Sequence, residues 1–467
     1  MKLYIQIIIL AVKKYIFRKQ LGSVLKSFCE SMGIVYIKLA QILATQNIGE
    51  LFTEEDRNIL SDICDDVNPV NFAAIKKILE REYPDTFDKV FAEIDSSPVG
   101  SASISQVHKA ILSSGETAAV KIKRTDITDG IDKDIARIRK LMHRFGKYIG
   151  FKNFIAGDKA LDLYLDWIRE ETDFLHEKEN IKLYGSFAES VNGKVSKTKK
   201  IRVPKVYEEL CTENVIVMEF IDSKTINQMQ MTEQNKIRIR DALNSYFQLS
   251  FYALFNDKKV VFHGDPHGGN IFIDDSGNIG FLDMGLIFEL SDEDAALTRD
   301  FFLTAYTEKH EKLFRLLSPY GKFSEETSAE FKKNIAEFCS KTRQMPVTSY
   351  FIEMVNICFY YEIKPPNFLF CMSKAFVCLY GISVFTENMT ETTELLKTQM
   401  IKFFIKRSAE LTFDSVKFSI SAIPKAIISL TRMGGSDGQG KRTDVFSDLR
   451  SELRKNLDSF TEMLSLL

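Results

Sequence analysis

His263-Gly264-Asp265-Pro266-His267-Gly268-Gly269-Asn270 follows the apolar run Val260-Val261-Phe262 and leads into Ile271-Phe272-Ile273. After these come Asp275-Ser276-Gly277-Asn278, a set of turn formers, and then Ile279-Gly280-Phe281-Leu282. Two short apolar runs around such a turn predict a tight hairpin. Asp283 then stands at the end of the second strand, thirteen residues after Asn270 and directly before Met284-Gly285. A single Asp or His in a loop is usually a cap or a turn residue. What makes this loop a site is the order: apolar strand, polar loop, hairpin and terminal carboxylate.

Phosphoryl transfer from ATP needs a metal to neutralise phosphate oxygens and acidic or amide side chains to hold it. It also needs a lysine on the phosphates and a carboxylate to orient that lysine. His263, Asp265 and Asn270 reproduce the kinase spacing H-x-D-x-x-x-x-N, in which the aspartate faces the acceptor and the asparagine a metal. Asp283 stands where a D-F-G aspartate would, so Asn270 and Asp283 are the expected Mg2+ ligands. Upstream, Ala118-Ala119-Val120-Lys121 stands where kinases carry V-A-I-K. Strand alternation places Lys121 and Lys123 on one face together, so facing alone does not choose between them; only the motif selects Lys121. A G-x-G-x-x-G loop is missing. In its place Pro98-Val99-Gly100-Ser101-Ala102-Ser103-Ile104-Ser105-Gln106-Val107 offers small residues that let backbone N–H groups approach phosphate.

The surrounding pattern predicts an α+β fold: a bilobal, protein-kinase-like chain with a small antiparallel-sheet N-lobe and a helical C-lobe. Residues 1–88 read as a helical extension, with cap signals at Thr53 and Asn71. Residues 89–223 read as the N-lobe. They hold a hairpin formed by 104–112 and 117–123, charged helices around 126–148 and 157–190, and strands at 201–208 and 214–221. Residues 224–400 read as the C-lobe and 401–467 as a helical tail.

The 467 residues are 45 % apolar and carry a net charge of -2, an ordinary globular composition with no overall pull toward nucleic acid. The seven cysteines are scattered without a C-x-x-C pair, which argues against a disulfide framework and for a reducing compartment. The apolar run at the N-terminus is followed by Lys13, Lys14, Arg18 and Lys19 and is too short to cross a bilayer. Packing against its own domain is the default, and peripheral membrane contact the alternative. The last segment carries Phe446, Leu449, Leu453, Leu457, Phe460, Leu464 and Leu467 at helical spacing. That stripe suits burial against the body, a membrane, or a second copy by self-association.

With these motifs in place, the chain resembles the UbiB/ADCK (AarF) atypical kinases over roughly residues 20–400. Lys38 and Gln41 match a K-x-G-Q helix, Ala102 to His108 match an alanine-rich loop ending in Q-V-H, and Glu171, Asp173, Glu177 and Asn180 match the long-helix pattern. The resemblance implies that Glu177 pairs with Lys121. It also implies that Glu171 and Asp173 meet Lys38 and Gln41, a regulatory set that lays the N-terminal helix over the acceptor pocket. Gly100, Ser101, Ala102, Ser103, Lys121 and Glu219 form the nucleotide-binding set; Asp265, Lys121 and Glu177 are the catalytic one. The implied activity is that of an ATP-dependent kinase or ATPase supporting isoprenoid-lipid or quinone biosynthesis, cytoplasmic and peripheral on the inner face of the membrane. The sequence departs from the family at Ala40, Gly264, Gly269 and Met284. Gly264 fits small-molecule phosphotransferases such as aminoglycoside or choline kinases better, while the Lys38 helix fits them worse. A nucleotide-binding switch without turnover is the third alternative.

Overall fold

The computed structural model describes residues 21–32, 35–37, 53, 55–56, 59, 69–101, 104–124, 131–145, 172–256, 259–306, 308–342, 345–361, 363 and 365–385. The chain divides into two compact units, Met1–Gln399 and Met400–Leu467, and every described residue lies in the first. The C-terminal apolar stripe, the N-terminal apolar run, Lys38, Gln41, Ala102, Ser103 and Glu171 lie outside the described residues.

The first described helix, α1 (Leu21–Met32), is tied to Asp56, whose carboxylate accepts the Gly22 N–H at 2.6 Å. Asp56 also closes a reciprocal cap with Thr53, accepting its hydroxyl while its own N–H donates to Thr53 Oγ1. Asn71 caps α2 (Phe72–Glu82), its side chain accepting the Ala73 N–H, and the helix buries Ile75, Ile78 and Leu79 at helical spacing. A single turn, α3 (Phe87–Val90), then delivers the chain to the sheet.

That sheet holds β1 (Phe91–Ser101), β2 (Ser105–Leu112), β3 (Thr117–Lys123) and β5 (Val215–Glu219), antiparallel throughout and in the order β1-β2-β3-β5. Gly115 makes the β2–β3 turn possible, since its φ of 88° suits glycine. One face of the sheet carries Ala110, Leu112, Ala118, Val120, Ile122, Val215 and Val217, packed with Ile75, Ile78 and Leu79 of α2 into one apolar cluster. α2 thus covers this face of the sheet.

Beyond α4 (Ile131–Phe145) comes α5 (Phe174–Val191), capped by Asp173, whose side chain accepts the His176 N–H. Its buried set, Phe174, Glu177, Asn180, Ile181 and Tyr184, follows the helical period and so carries one carboxylate inward.

The strand expected over 201–208 is a correction. Only β4 (Ile201–Arg202) forms a strand, pairing parallel with Ile279 and Gly280, while beyond Pro204 a single bridge, Val206 to Met218, meets the edge of β5 in the roof sheet. Pro204 cannot donate a ladder hydrogen bond, and the chain turns away into a single 3-10 turn at Glu208–Leu210.

The second lobe is mostly helical: α6 (Glu233–Phe255), α7 (Asp292–Tyr306), α8 (His310–Leu317), α9 (Glu325–Lys341), α10 (Val347–Tyr360) and α11 (Asn367–Phe385). Its core is aromatic. Phe247, Phe301, Phe302, Phe351 and Phe376 meet with centroids 5.1–5.8 Å apart, within the range for favourable ring packing. Set into this lobe are β6 (Val260–His263), β7 (Ile271–Ile273), β8 (Ile279–Phe281) and β9 (Ile287–Leu290), with β7 and β8 forming the expected hairpin and β6 pairing β9. A sheet-plus-helix lobe followed by a helical lobe is the bilobal α+β architecture that the sequence predicts.

Candidate active site

Of the two lysines that share a strand face, Lys121 is the buried one. The residue is 3 % exposed, and its ammonium donates to both Glu177 carboxylate oxygens at 2.7 and 2.8 Å and to Asp283 Oδ2 at 3.1 Å. Lys123 stays half-buried, with its ammonium 4.9 Å from the Phe174 ring centroid. Three distant segments therefore converge on one cation. Burial pulls the Lys121 ammonium down, but the Asp283 and Glu177 carboxylates outweigh it and leave its pKa raised. Burial also raises the Glu177 carboxyl, against the opposing pull of Lys121. The Met284 N–H donates to Glu177 Oε1 at 3.3 Å, and the Asn180 carboxamide donates to the Met284 carbonyl at 2.9 Å. α5 is thereby fastened to the segment that follows Asp283.

His263 organises the loop. Its Nε2 donates to the Asp283 carbonyl, while Nδ1 accepts the Asp265 N–H at 3.1 Å, an arrangement that fixes a single neutral tautomer. The ring stacks on Phe281 at 4.8 Å, and burial pushes its pKa down to about 4. It is therefore a holder of the loop and not a proton carrier at neutral pH.

Asn270 donates to the Asp265 carbonyl at 3.3 Å, and its own carbonyl accepts the Leu282 N–H at 2.9 Å, which brings Asn270 beside the end of the hairpin. Asp283 Oδ1 accepts the Gly285 N–H at 2.9 Å, and its side chain remains 40 % exposed. The Asp283 carboxylate and the Asn270 amide oxygen, on segments joined by the Leu282–Asn270 backbone hydrogen bond, are both oxygen donors. That set suits Mg2+, which takes few protein ligands and completes its shell with water and phosphate.

Gly264, the residue that pointed toward small-molecule kinases, has a local cause. A Cβ there would lie 2.6 Å from Leu286 Cγ and 2.8 Å from Phe288, while its N–H donates to the Leu286 carbonyl. A larger residue there would require Leu286 or Phe288 to shift, so local packing gives this glycine a reason independent of the acceptor.

The remaining expected residues lie elsewhere. Gly100 and Ser101 end β1, opposite Val107 and Gln106. Glu219 ends β5 with its carboxylate on Arg202 at 3.0 Å and on the Lys205 N–H at 3.3 Å. Asp173 serves as the α5 cap, near Lys123, with its carbonyl accepting the Glu177 N–H at 2.9 Å. Two contacts escaped sequence reasoning. Cys378 of α11 directs its thiol at Asp265 Oδ1 across 3.6 Å, and Asn227 lies under Gly268, where a Cβ would come within 2.3 Å of its Oδ1. Neither residue stands in a motif or at a telling spacing.

A buried lysine shared by a helix carboxylate and a hairpin-end carboxylate, above a loop with Asp265 and Asn270, defines the kinase-like class. Residues 62–317 match the ABC1 atypical kinase-like domain, more than half of the chain. The chain belongs to this family, the UbiB/ADCK atypical kinases. It is 33 % identical over 268 residues to an "Uncharacterized protein in hydrogenase 1 5'region" of Clostridium pasteurianum, covering 57 % of this chain and 48 % of that one. It is 28 % identical over 334 residues to a "Probable protein kinase UbiB" of Shewanella woodyi, covering 70 % of this chain and 58 % of the relative. The chain thus spans about half to three-fifths of these relatives' lengths. A Mycobacterium tuberculosis protein solved in complex with erythromycin aligns with a TM-score of 0.44 at 18 % identity, over 69 % of this chain and 83 % of the other.

Proposed function

We propose that the chain binds Mg-ATP between its two lobes and acts as an atypical kinase or ATPase that supports isoprenoid-lipid or quinone biosynthesis. The observation that carries this reading is the Lys121 ammonium held at once by Glu177 and Asp283. Such a lysine is oriented for phosphate oxygens and sits beside the metal position. In this reading Lys121 takes the phosphates, Glu177 fixes Lys121, and Asp265 orients the attacking hydroxyl or water. Asn270 and Asp283 hold magnesium, which neutralises charge on the phosphate oxygens. The small residues Gly100, Ser101, Ala102 and Ser103 cover the phosphates, and Glu219 borders the nucleotide.

The division into an extension (1–88), N-lobe (89–223), C-lobe (224–400) and tail (401–467) belongs to the same proposal. So does the occlusion of the acceptor pocket by Lys38 and Gln41 facing Glu171 and Asp173, which favours a small lipid or water as acceptor over a protein. Among the described residues no helix is long and apolar enough to cross a membrane. Peripheral contact with the inner face is therefore the proposed mode of meeting a lipid.

The test is phosphate release from Mg-ATP by the full chain, with and without detergent or isoprenoid phenols, beside Asp283→Asn. Release by the parent that is lost in the variant supports the proposal. Nucleotide binding by both, with no release by either under any condition, sinks it in favour of a switch.

A further inference from the structure

Gln106 and His108 are both fully buried, polar, and on the face of β2 turned away from Lys121. The register makes this plain: Val107 pairs with Lys121, whereas Gln106 and His108 pair with Ile122 and Val120, which belong to the apolar roof under α2. An apolar pair would fill such a place without the cost of burying amide and imidazole groups. Yet every polar atom here has a partner. Gln106 Oε1 accepts the Val70 N–H at 2.8 Å, and its Nε2 donates to the Val70 carbonyl at 3.2 Å, so the carboxamide pairs one residue's backbone as a neighbouring strand would. The second Nε2 hydrogen meets His108 Nε2 at 2.8 Å, and His108 Nδ1 donates to the Asp95 carbonyl at 2.7 Å.

The two anchor points have distinct meanings. Asp95 lies where the β1–β2 register slips between Ile94 and Pro98, so His108 satisfies a carbonyl that the ladder leaves out. Val70 directly precedes Asn71, the cap of α2. Gln106 itself stands opposite Ser101, the last residue of β1 before the small-residue connection to Ser105. The network therefore joins the stem of that connection to the start of the extension's roof helix.

We propose that Gln106 and His108 are positioning residues for nucleotide binding, fixing the stem of the phosphate-covering connection against the segment that leads into α2. The inference rests on the Mg-ATP reading of the site and adds to it a requirement on the opposite face of the sheet. A satisfied buried network holds one geometry where apolar packing tolerates several. Displacing phosphate-binding backbone by about 1 Å costs on the order of 100-fold in function.

The experiment uses the full chain with Gln106→Met and His108→Phe, which keep volume while removing the hydrogen bonds, and with Phe72→Leu as a packing control. Phe72 lies 5.4 Å from the His108 ring and makes no part of the network. Affinity for a fluorescent ADP with magnesium is measured well below each variant's melting temperature, together with phosphate release at saturating ATP. The expected result is affinity weakened roughly 10- to 100-fold in the two network variants, with release at saturation little changed and Phe72→Leu close to the parent. Lowered melting with unchanged affinity in either network variant overturns the inference and leaves a core-packing role. If the parent binds no nucleotide, the site reading falls, and this inference falls with it. His108→Phe decides the matter if Gln106→Met does not fold, because its ring preserves the contact with Phe72.

Discussion

The Lys121–Glu177 pair offers a quantitative test of the site's construction. In Lys121→Met, Glu177 keeps the Met284 N–H but loses the ammonium that contacts both its oxygens, at 0 % exposure and near the Asp283 carboxylate. Breaking a buried pair by deleting one partner costs about 3–5 kcal/mol. In Glu177→Gln, the ammonium retains Asp283 at 3.1 Å, so the cost is that of a charged hydrogen bond, about 2–3 kcal/mol. Combining the changes removes both buried charges together, and methionine can lie along the glutamine stem. The double variant is expected near the cost of one single, leaving a coupling of about 3 kcal/mol. Urea unfolding followed by circular dichroism on all four proteins reads these values. Additivity to within about 0.5 kcal/mol would refute the buried pair, because residues that do not touch show that behaviour. In the same series, nucleotide-dependent protection against heating should vanish in Lys121→Met while the protein stays folded.

Other predictions follow from the site's neutral and crowded groups. Burial lowers the pKa of His263 from 6.5 to about 4 and also lowers that of His108, so at these two side chains the unfolded chain binds more protons than the folded one between those values. The stabilisation tied to neutral His263 is then complete above pH 6.5 and is lost as pH drops toward 4, by about 3 kcal/mol. The raised Glu177 carboxyl acts with the opposite sign over the same window, so the His263 part is read as the difference in urea midpoints between the parent and His263→Gln across the pH series. In His263→Gln the slope should shrink. Gly264→Ala forces a Cβ against Leu286 and Phe288 and should destabilise by about 1–3 kcal/mol, with Leu286→Ala restoring part of it in the double variant, measured by thermal melting. Cys378→Ala removes the thiol from Asp265 and should lower phosphate release at saturation while leaving nucleotide affinity unchanged, with Cys378→Ser retaining more activity.

Much of the site was legible because its chemistry is written in short, ordered stretches. The loop from His263 to Asn270 and the hairpin to Asp283 span few residues, and local turn chemistry at Asp274 to Gly277 fixes the return of the chain. In the sequence, strand facing narrows the choice only to Lys121 and Lys123, and the match to V-A-x-K alone selects Lys121. What separates them is α5, whose cap at Asp173 sets the helical phase that carries Glu177 inward. The strand expected over 201–208 failed for a related reason. Its β-forming residues are local, but they divide between two partners: Ile201 and Arg202 pair with Ile279 and Gly280 of the other lobe, Val206 bridges Met218 of β5, and Pro204 interrupts the run between them.

Cys378 and Asn227 show where sequence reasoning ends in a fold of this kind. The first reaches Asp265 across 113 positions, from a helix that buries Phe368, Leu369, Met372, Phe376 and Leu379 in the apolar core. The second supports the loop from a 3-10 turn fixed by the Thr225–Gln228 capping box. Neither needs a particular residue type at a particular spacing, so neither leaves a pattern. The Q-V-H stretch is the converse case: a pattern visible in sequence whose purpose is not. Gln106 and His108 resemble nothing catalytic, and only the register that turns them away from Lys121, toward Val70 and Asp95, gives them work to do. Under the Mg-ATP reading the site has two walls, one legible in charged motifs and one in a buried amide and imidazole. The second ties the roof helix to the stem of the connection between β1 and β2.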